Sequence, residues 1–564
     1  MKTLVPSFPI VLAVLCFALL PKAIAVSPPP DGGYPGGNTA EGHLALGSLT
    51  TGLYNTGVGI YSLLSITDGD FCTGVGAGAL FANTGDQNTA IGAGALFSNS
   101  TGFGNTANGT FTLFSNSTGS GNTATGYQAL FNNTTGVNNT ANGVNALGNN
   151  TTGGANTAIG SSTLVFNTTG TANTAVGGAA LLNNTLGENN TATGFGALFS
   201  NDTASGNTVV GFQALSTTIF GAYNTATGYH ALLNNTESYN TAYGAQALEN
   251  NTTGTHNTAT GTIALFANTE GDNNTAIGDG ALSANMDGGS NTATGYQALF
   301  LNTGDNNTAT GYQALYSNLD GNDNTAVGIS TLFSNTTGGN NAAIGFAALN
   351  NNTAGDNNIA IGGFAGANLT TGNNNIDISN FGVAGESSTI RIGGNNQNRA
   401  FIAGIRGVTT GNANAIPVLI DSVGQLGTMS SSRRFKKEIK PMDKASEAIL
   451  ALKPVTFHYR SNGTGTPQFG LIAEEVAEIN PDLVVRDDKG EIYTVRYDAV
   501  NAMLLNEFLK EHKKVAEQQA TIAELTKEMK AFVAHAKEQD SKIQRVSAQI
   551  DMSKAAPQVV ATDR

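Results

Sequence analysis

The amino-acid sequence predicts a mostly β protein: a parallel β-roll or solenoid repeat fibre, expected to be trimeric, followed by a small α+β domain and a C-terminal coiled coil. Three observations predict it. An asparagine-led unit returns every 17 residues from Asn38 to Asn375, a leucine holds one fixed place in that unit, and the chain turns from Gly/Asn/Thr-rich to charged near Ser430. Twenty steps separate Asn38 from Asn375, and only those ending at Asn88, Asn240 and Asn307 are one residue short. A period this strict denotes stacked coils rather than a globular catalytic domain.

Each place in the coil has a reading. Eight residues after the register asparagine comes a leucine in nineteen consecutive coils, from Leu46, Leu63 and Leu80 to Leu332 and Leu349, the inward residue of a solenoid. Two places after the register site an alanine (Ala90, Ala124, Ala158, Ala175) is small enough for neighbouring sheets or chains to approach closely. The next residue is mostly β-branched, as in Ile91, Thr125, Ile159, Val176 and Ile277, which suits a short strand. A glycine then turns the chain, and an Asn-Asn-Thr-Thr-Gly or Asn-Thr-Gly cluster turns it again. Two short strands and two turns per coil are expected, and at about 4.7 Å per strand the rod is about 90 to 100 Å long. One leucine per coil is a thin core, so several chains are expected to share it.

Composition narrows the function. The 564 residues include 72 Gly and no Trp, and charged residues make up only 12%, as in fibrous repeat proteins. The leucine ladder argues against disorder. Net charge is -14, but no Lys or Arg lies between Lys22 and Arg391, whereas 21 of the 26 basic residues lie from Arg433 onward. A shaft without cations cannot grip phosphate backbones, so nucleic acid is not an expected partner.

The N-terminus reads as an export signal. Lys2 precedes an apolar run from Ile10 to Leu20, and Ala23, Ile24 and Ala25 make a small-x-small cleavage site. The run is too short to span a bilayer comfortably, and the mature chain is expected to have no membrane-spanning segment and to be secreted or held at the cell surface. Cys16 follows a bulky residue and makes a poor lipidation site. Cys72 occupies a register site and reads as a buried small residue.

The expected boundaries are a signal peptide over 1–25, a flexible leader over 26–37, repeats over 38–378, a β-rich neck over 379–429, a charged domain over 430–500, a coiled coil over 501–548 and a polar tail over 549–564. The neck carries strand-like runs at 389–393, 400–405 and 416–421. The charged domain has helix signals at 443–452 and 471–479 and strand signals at 455–459 and 492–495. In the last segment one seven-spaced core position reads Asn501, Phe508, Val515, Ile522, Met529, Ala536 and Ile543, and the second reads Leu504, Glu511, Gln518, Leu525, Phe532, Gln539 and Val546. Most are apolar, which favours a self-associating helix over one folded on its own domain.

Four ordered motifs carry a resemblance. These are Ser431-Ser-Arg-Arg-Phe-Lys436, Leu452-Lys-Pro-Val-Thr-Phe-His-Tyr, Phe469-Gly-Leu-Ile-Ala-Glu-Glu-Val and the terminal helix. Over roughly Ser430 to Ala548 the chain resembles the endosialidase-type intramolecular chaperone domains found at the C-termini of phage tail spikes and fibres. The resemblance implies a homotrimer assembled by this domain, which then cuts itself off. The rod in turn resembles the head repeats of YadA-like trimeric adhesins, though this repeat is longer.

The first resemblance implies a Ser/Lys dyad with the lysine five residues after the serine. Transferred here, Ser431 is the nucleophile, Lys436 the general base and Ser430–Ser431 the scissile bond. A serine hydroxyl needs a base to take its proton, and a lysine serves only when neutral, so Lys436 must be desolvated or set beside other cations. Arg433, Arg434 and Lys437 are candidates for that repulsion. Ser432 stands where the family often has Asp, and Ser432 to Lys437 has the same spacing of five. Ser431 is preferred because the family keeps one residue between the nucleophile and the Arg-Arg pair. The alternative to cleavage is a permanent trimerisation module on an uncut fibre.

Other constellations are weak. The six histidines have no metal-ligand spacing, and no cofactor or metal is expected. Shaft acids such as Asp272, Asp305 and Asp323 fall at variable turn sites, and no carboxylate pair suited to glycan hydrolysis is evident in the rod. A glycan-cleaving domain would need a non-repeating segment, and none precedes Ser430. A Thr-rich ice- or surface-binding solenoid is a further alternative, and a cell-surface, glycan or host ligand of the rod is left open.

Overall fold

The computed structural model describes residues 34–394, 396–397, 399–402, 416–421, 424–460, 466–487 and 489–554. The expected signal peptide, most of the leader, part of the neck and the last ten residues of the tail lie outside them. The chain divides into two units, one ending at Ala400 and one beginning at Phe401.

The first unit is a parallel β-solenoid. Each coil contributes one three-residue strand, from β1 (Thr39–Glu41) and β2 (Thr56–Val58) to β21 (Ile376–Ile378), and a further strand, β22 (Ile390–Ile392), follows after a shorter loop. Consecutive strands pair in parallel with like positions opposed, so that Thr123 lies between Thr106 and Thr140. The sheet therefore continues one strand beyond Ile378, with Ile376 opposite Ile390.

Only one strand forms per coil, not the two expected from the sequence. The stretch after the glycine, Gly126–Asn132 in one coil, is a run of turns. Alternate residues there adopt left-handed backbone, Gln128 at φ 56° and Leu130 at φ 52°, which an extended strand cannot accommodate. All nineteen ladder leucines share this conformation. It costs each about 1 to 2 kcal/mol, and complete burial of a leucine, about 1.5 to 3 kcal/mol, offsets it. The turn run also bonds across coils: Leu130 N–H donates to the Ala146 carbonyl at 2.9 Å, as Leu147 does to Thr163 at 3.0 Å.

A single chain fills this core, which corrects the expectation that several chains share it. Ala124, Ala129 and Leu130 of one coil are all fully buried, and the pattern repeats along the shaft. The strand alanine is small because it packs inside its own coil. Only at the first coil does the ladder open to solvent, where Leu46 keeps 8% of its surface.

The rest of the interior is asparagine. In the register row, Asn122 donates its backbone N–H and its Nδ2 to Asn105 Oδ1 at 3.0 and 3.1 Å, and Nδ2 also to the Gly136 carbonyl at 2.9 Å. A second buried row lies 11 residues further on, within the cluster read from sequence only as a turn. There Asn133 Nδ2 reaches Asn116 Oδ1 at 2.7 Å and the Gly136 carbonyl at 3.0 Å. Where the rows are unbroken, each amide is satisfied by neighbouring rungs and by glycine carbonyls, as burial requires. Two glycines are fixed by this stacking. At Gly126 (φ 127°) a Cβ would lie 2.5 Å from the Gly143 carbonyl oxygen, and at Gly136 one would lie 2.4 Å from both Asn133 Oδ1 and the Gly153 carbonyl oxygen.

Where the rows break, atoms are left without partners. Thr218 replaces the second-row asparagine, and both its Oγ1 and the preceding Asn201 Oδ1 are buried and unbonded. Asn352 Oδ1 is unbonded likewise, because Leu369 takes the next place. Cys72 is buried in the register row, as its sequence position suggested, its N–H donating to Asn55 Oδ1 at 2.9 Å and its Sγ to the Gly85 carbonyl at 3.2 Å. The variable turn acids also serve the stack: Asp272 Oδ1 accepts from Thr255 N–H at 2.6 Å, and Asp305 Oδ1 from Gly289 N–H at 2.7 Å.

In the second unit β23 (Leu419–Ile420) and β24 (Leu426–Gly427) pair antiparallel, as do β25 (Val455–Phe457) with β26 (Gln468–Gly470) and β27 (Val484–Arg486) with β28 (Ile492–Val495). Helix α1 (Ala473–Ile479) lies between the second and third pairs, and helix α2 (Tyr497–Ser553) follows β28. The expected helix near 443–452 is a 3-10 helix, Asp443–Ala451. A small core of Val476, Leu483, Val484, Val495 and Met503 joins α1, β27, β28 and α2, with Ala448 and Ile449 of the 3-10 helix packed against it.

Two substitutions test this account. Thr218→Asn supplies the missing amide and should raise the thermal unfolding midpoint, with a gain of about 1 kcal/mol. Leu147→Ile keeps the volume, which by itself costs under about 1.5 kcal/mol, but sets a β-branched residue at φ 52°. It should lose more than that figure when unfolding is followed by circular dichroism.

Candidate functional site

The residues expected to cut the chain lie at the start of the second unit. Ser430, Ser431 and Ser432 lead into a single 3-10 turn, Arg433–Phe435, and Lys436 leaves it. The turn is closed by Phe435 N–H donating to the Ser432 carbonyl at 3.0 Å and Lys436 N–H to the Arg433 carbonyl at 3.1 Å. Ser431 and Lys436 thus flank one short turn, and every residue from Ser430 to Lys437 is exposed. The Arg434 guanidinium lies over the Phe435 ring, 4.6 Å from its centre.

This geometry brings the dyad near in the chain but does not join it. Among the described residues no hydrogen bond links the Ser431 hydroxyl to the Lys436 amine. The burial that would hold a lysine neutral is not supplied to exposed Lys436 by one chain. Arg433, Arg434 and Lys437 are exposed as well.

Behind the turn, the unit is organised by a polar knot that the sequence reading missed. Ser446 on the 3-10 helix is fully buried, and its hydroxyl donates to the Glu507 carboxylate of α2. Lys510 Nζ bonds Glu507 Oε1 at 2.6 Å and the Asp443 carbonyl at 2.7 Å, and Asn506 Nδ2 bonds Ser446 Oγ at 2.6 Å. Lys510 and the Ser446 hydroxyl hold the Glu507 carboxyl below its usual range. With Lys510 paired to Glu507 and Glu447, this is a staple between two helices and not an activated Ser/Lys pair. The signal for it was the i,i+3 spacing of Glu507 and Lys510, but nothing local in sequence joins them to Ser446.

Beyond its first turns, α2 leaves its unit. Met503 and Glu507 are its only buried residues, whereas the seam side chains Phe508, Ile522, Met529, Phe532 and Ile543 are all more than 60% exposed. A helix folded on its own domain would not look like this. Among the described residues no helix is long and apolar enough to cross a membrane.

A second perturbed cluster ends the solenoid. Asp377 stands at the inward place of β21 where most other coils have alanine, keeps 1% of its surface, and has no partner for either carboxylate oxygen. Burial first, and the nearby Glu386 carboxylate second, push its carboxyl up to about 6, against the pull of Arg391. Arg391, at the inward place of β22, instead pairs with Glu386 through Nε at 2.9 Å and Nη2 at 2.7 Å. That pairing holds the Glu386 carboxyl low.

A solenoid shaft followed by a compact unit with a protruding helix is the organisation of a fibre protein. Residues 431–485 match the family described as chaperone of endosialidase, a family of self-cleaving intramolecular chaperones, and the shaft followed by such a segment defines a tail-fibre-like protein. No curated protein matches the chain.

Asp377 gives the shaft end a pH dependence of stated sign. Its folded value lies above the ordinary carboxylate range, so its contribution is fully present below that range and is lost as pH rises through about 6. Hydrogen exchange of the β20–β22 amides, corrected for intrinsic rate, should show opening free energy falling by up to about 3 kcal/mol between pH 4 and 8. Asp377→Ala should flatten the profile.

Proposed function

We propose that the chain is an exported homotrimeric fibre, adhesin-like or tail-fibre-like, whose C-terminal domain is the intramolecular chaperone for its assembly and removes itself in a single turnover. The observation that carries this reading is the family match from residue 431 to 485, which begins at the serine assigned as nucleophile and follows a solenoid shaft in the chain. The exposed seam of α2 supports self-association, because an isolated helix with that much apolar surface gains by pairing with copies of itself.

In the proposed reaction the Ser431 hydroxyl attacks the carbonyl carbon of Ser430. Lys436, neutral at that moment, takes the hydroxyl proton and passes it to the departing Ser431 nitrogen. The product is an ester between the Ser430 acyl group and Ser431 Oγ, with a free amine on Ser431. Water then attacks the ester, leaving a carboxylate on Ser430 and restoring the Ser431 hydroxyl, so the two pieces together weigh one water more than the chain. The open, solvated turn of a single chain is the state before that chemistry. Closure that desolvates Lys436 and gathers Arg433, Arg434 and Lys437 around it is the step that activates the dyad. Once cut, the fibre is held by a kinetic barrier, because the element that nucleated its assembly has gone.

Intact mass of the full-length product tests this. Wild type should yield a fragment beginning at Ser431, and Ser431→Ala and Lys436→Ala should each reduce it at least 100-fold. An uncut wild-type chain overturns the cleavage and leaves a permanent trimerisation module. A fragment that persists in Ser431→Ala but is lost in Ser432→Ala moves the nucleophile by one residue.

A further inference from the structure

The last strands of the solenoid invert the polarity that a solvent-facing sheet requires. In β20 (Ile359–Ile361), β21 and β22 both outward places are isoleucine, whereas the inward places are Ala360, Asp377 and Arg391. In parallel register Ile359, Ile376 and Ile390 form one column and Ile361, Ile378 and Ile392 the other. Ile390 and Ile392 expose 66% and 73% of their surface, and Ile359 and Ile361 expose 39% and 42%. A sheet with one wet face places apolar residues inward and polar ones outward. All three strands place apolar residues outward, and β21 and β22 also place charge inward, down to a buried carboxylate without a hydrogen bond.

The rest of the face shows that the fold does not demand isoleucine there. From β1 to β18 (Thr325–Val327) the first outward place is threonine in every strand, and it gives way to Ala342, Ile359, Ile376 and Ile390. The same backbone thus accepts either residue, so the isoleucines answer to something outside the chain.

We propose that the outward face of β20–β22 is a seam by which the shafts of separate copies join side by side, parallel and in register. This inference rests on the oligomeric reading above and adds the face it uses. Two observations select a second copy as the occupant. First, over all 22 strands the outward places carry a single charge, Glu41, whereas the shaft's other acids lie in its turns or interior and no Lys or Arg precedes Arg391 within it. Two like-charged shafts meet without repulsion through this face. Second, the columns repeat with the strand spacing of the sheet, about 4.7 Å, and the same face of another copy matches that period strand for strand. The exposed α2 seam supplies an independent contact that raises the local concentration of shafts.

The test uses the full chain carrying Ile361→Cys or Ile392→Cys, with Thr118→Cys in an exposed turn as control. Each is treated with a short bismaleimide after its mass in solution is measured by light scattering. The expected result is an oligomer in which both isoleucine sites cross-link into covalent multimers at least tenfold more than the Thr118 site. An oligomer in which the isoleucine sites cross-link no better than the control overturns the seam and leaves assembly to the C-terminal unit. A monomeric mass overturns the oligomeric reading itself, and the seam with it. Two cysteine positions keep the result readable if one variant misfolds.

Discussion

The structure depends on one constraint, that an asparagine buried in this solenoid satisfies its amide through the matching asparagines and glycine carbonyls of the coils stacked on it. Asn105, Asn122 and Asn139 show the arrangement: each side-chain oxygen accepts from the next coil, and each amide nitrogen also reaches a glycine carbonyl of the following turn. Burying an amide without such bonds costs roughly 1 to 3 kcal/mol, so a slip of one residue would orphan every rung at once. The glycines and the left-handed leucines follow from this stacking. Carbonyls must lie 2.4 to 2.5 Å from where a Cβ would be at Gly126 and Gly136, and the chain must turn tightly enough at Leu130 to bring the next asparagine back over the last.

The same constraint leaves one error uncorrected. A slip by a whole coil presents an identical rung, so the ladders fix the residue register and not the coil register. What distinguishes coils are the interruptions: Ile66 and Cys72 near the start, Thr218 in the middle, Leu369 near the end, and the shorter coils closing at Asn88, Asn240 and Asn307. Two of them leave atoms without partners: Thr218 leaves two polar atoms unbonded and Leu369 leaves Asn352 Oδ1 unbonded. A chain of near-identical units folds with many near-degenerate alternatives. Residues 431–485 match a family of intramolecular chaperones, and the assembly role proposed for them would address that difficulty.

Much of this was legible in the sequence because periodicity reports directly on stacked geometry. The register, the inward leucines, the buried Cys72, the strand at 492–495 and the long final helix all follow from spacing. What failed did so for physical reasons. A second strand per coil was expected because two turn signals per coil leave two segments between them, but Gln128 and Leu130 are left-handed, and leucine carries no sign of that conformation. The second asparagine row was hidden because Asn-Asn-Thr-Thr-Gly is also a good turn, and only the stack shows that one of the pair faces inward. The core was judged too thin for one chain because asparagine was not counted as interior. At the candidate cleavage turn, spacing places Ser431 and Lys436 at either end of a 3-10 turn, but spacing cannot supply the desolvation that would make the lysine a base.

The two ends of the shaft are built differently. At the first coil the leucine ladder simply opens, and Leu46 takes the exposure. At the last coils charge enters the interior and isoleucine moves outward, with Asp377 raised to about 6 and Arg391 turned to Glu386 rather than to it. In a stack where each coil contacts only its neighbours, stability is close to a sum of local terms. A buried unpaired carboxylate therefore weakens the end that carries it without disturbing the middle. The C-terminal end of the shaft thus combines an unpaired buried carboxylate with an outward isoleucine patch, and burial of that patch against another copy, as proposed, would return stability where the carboxylate removes it. On the proposed route, assembly from the C-terminal unit meets the isoleucine-faced coils first and the threonine-faced coils later.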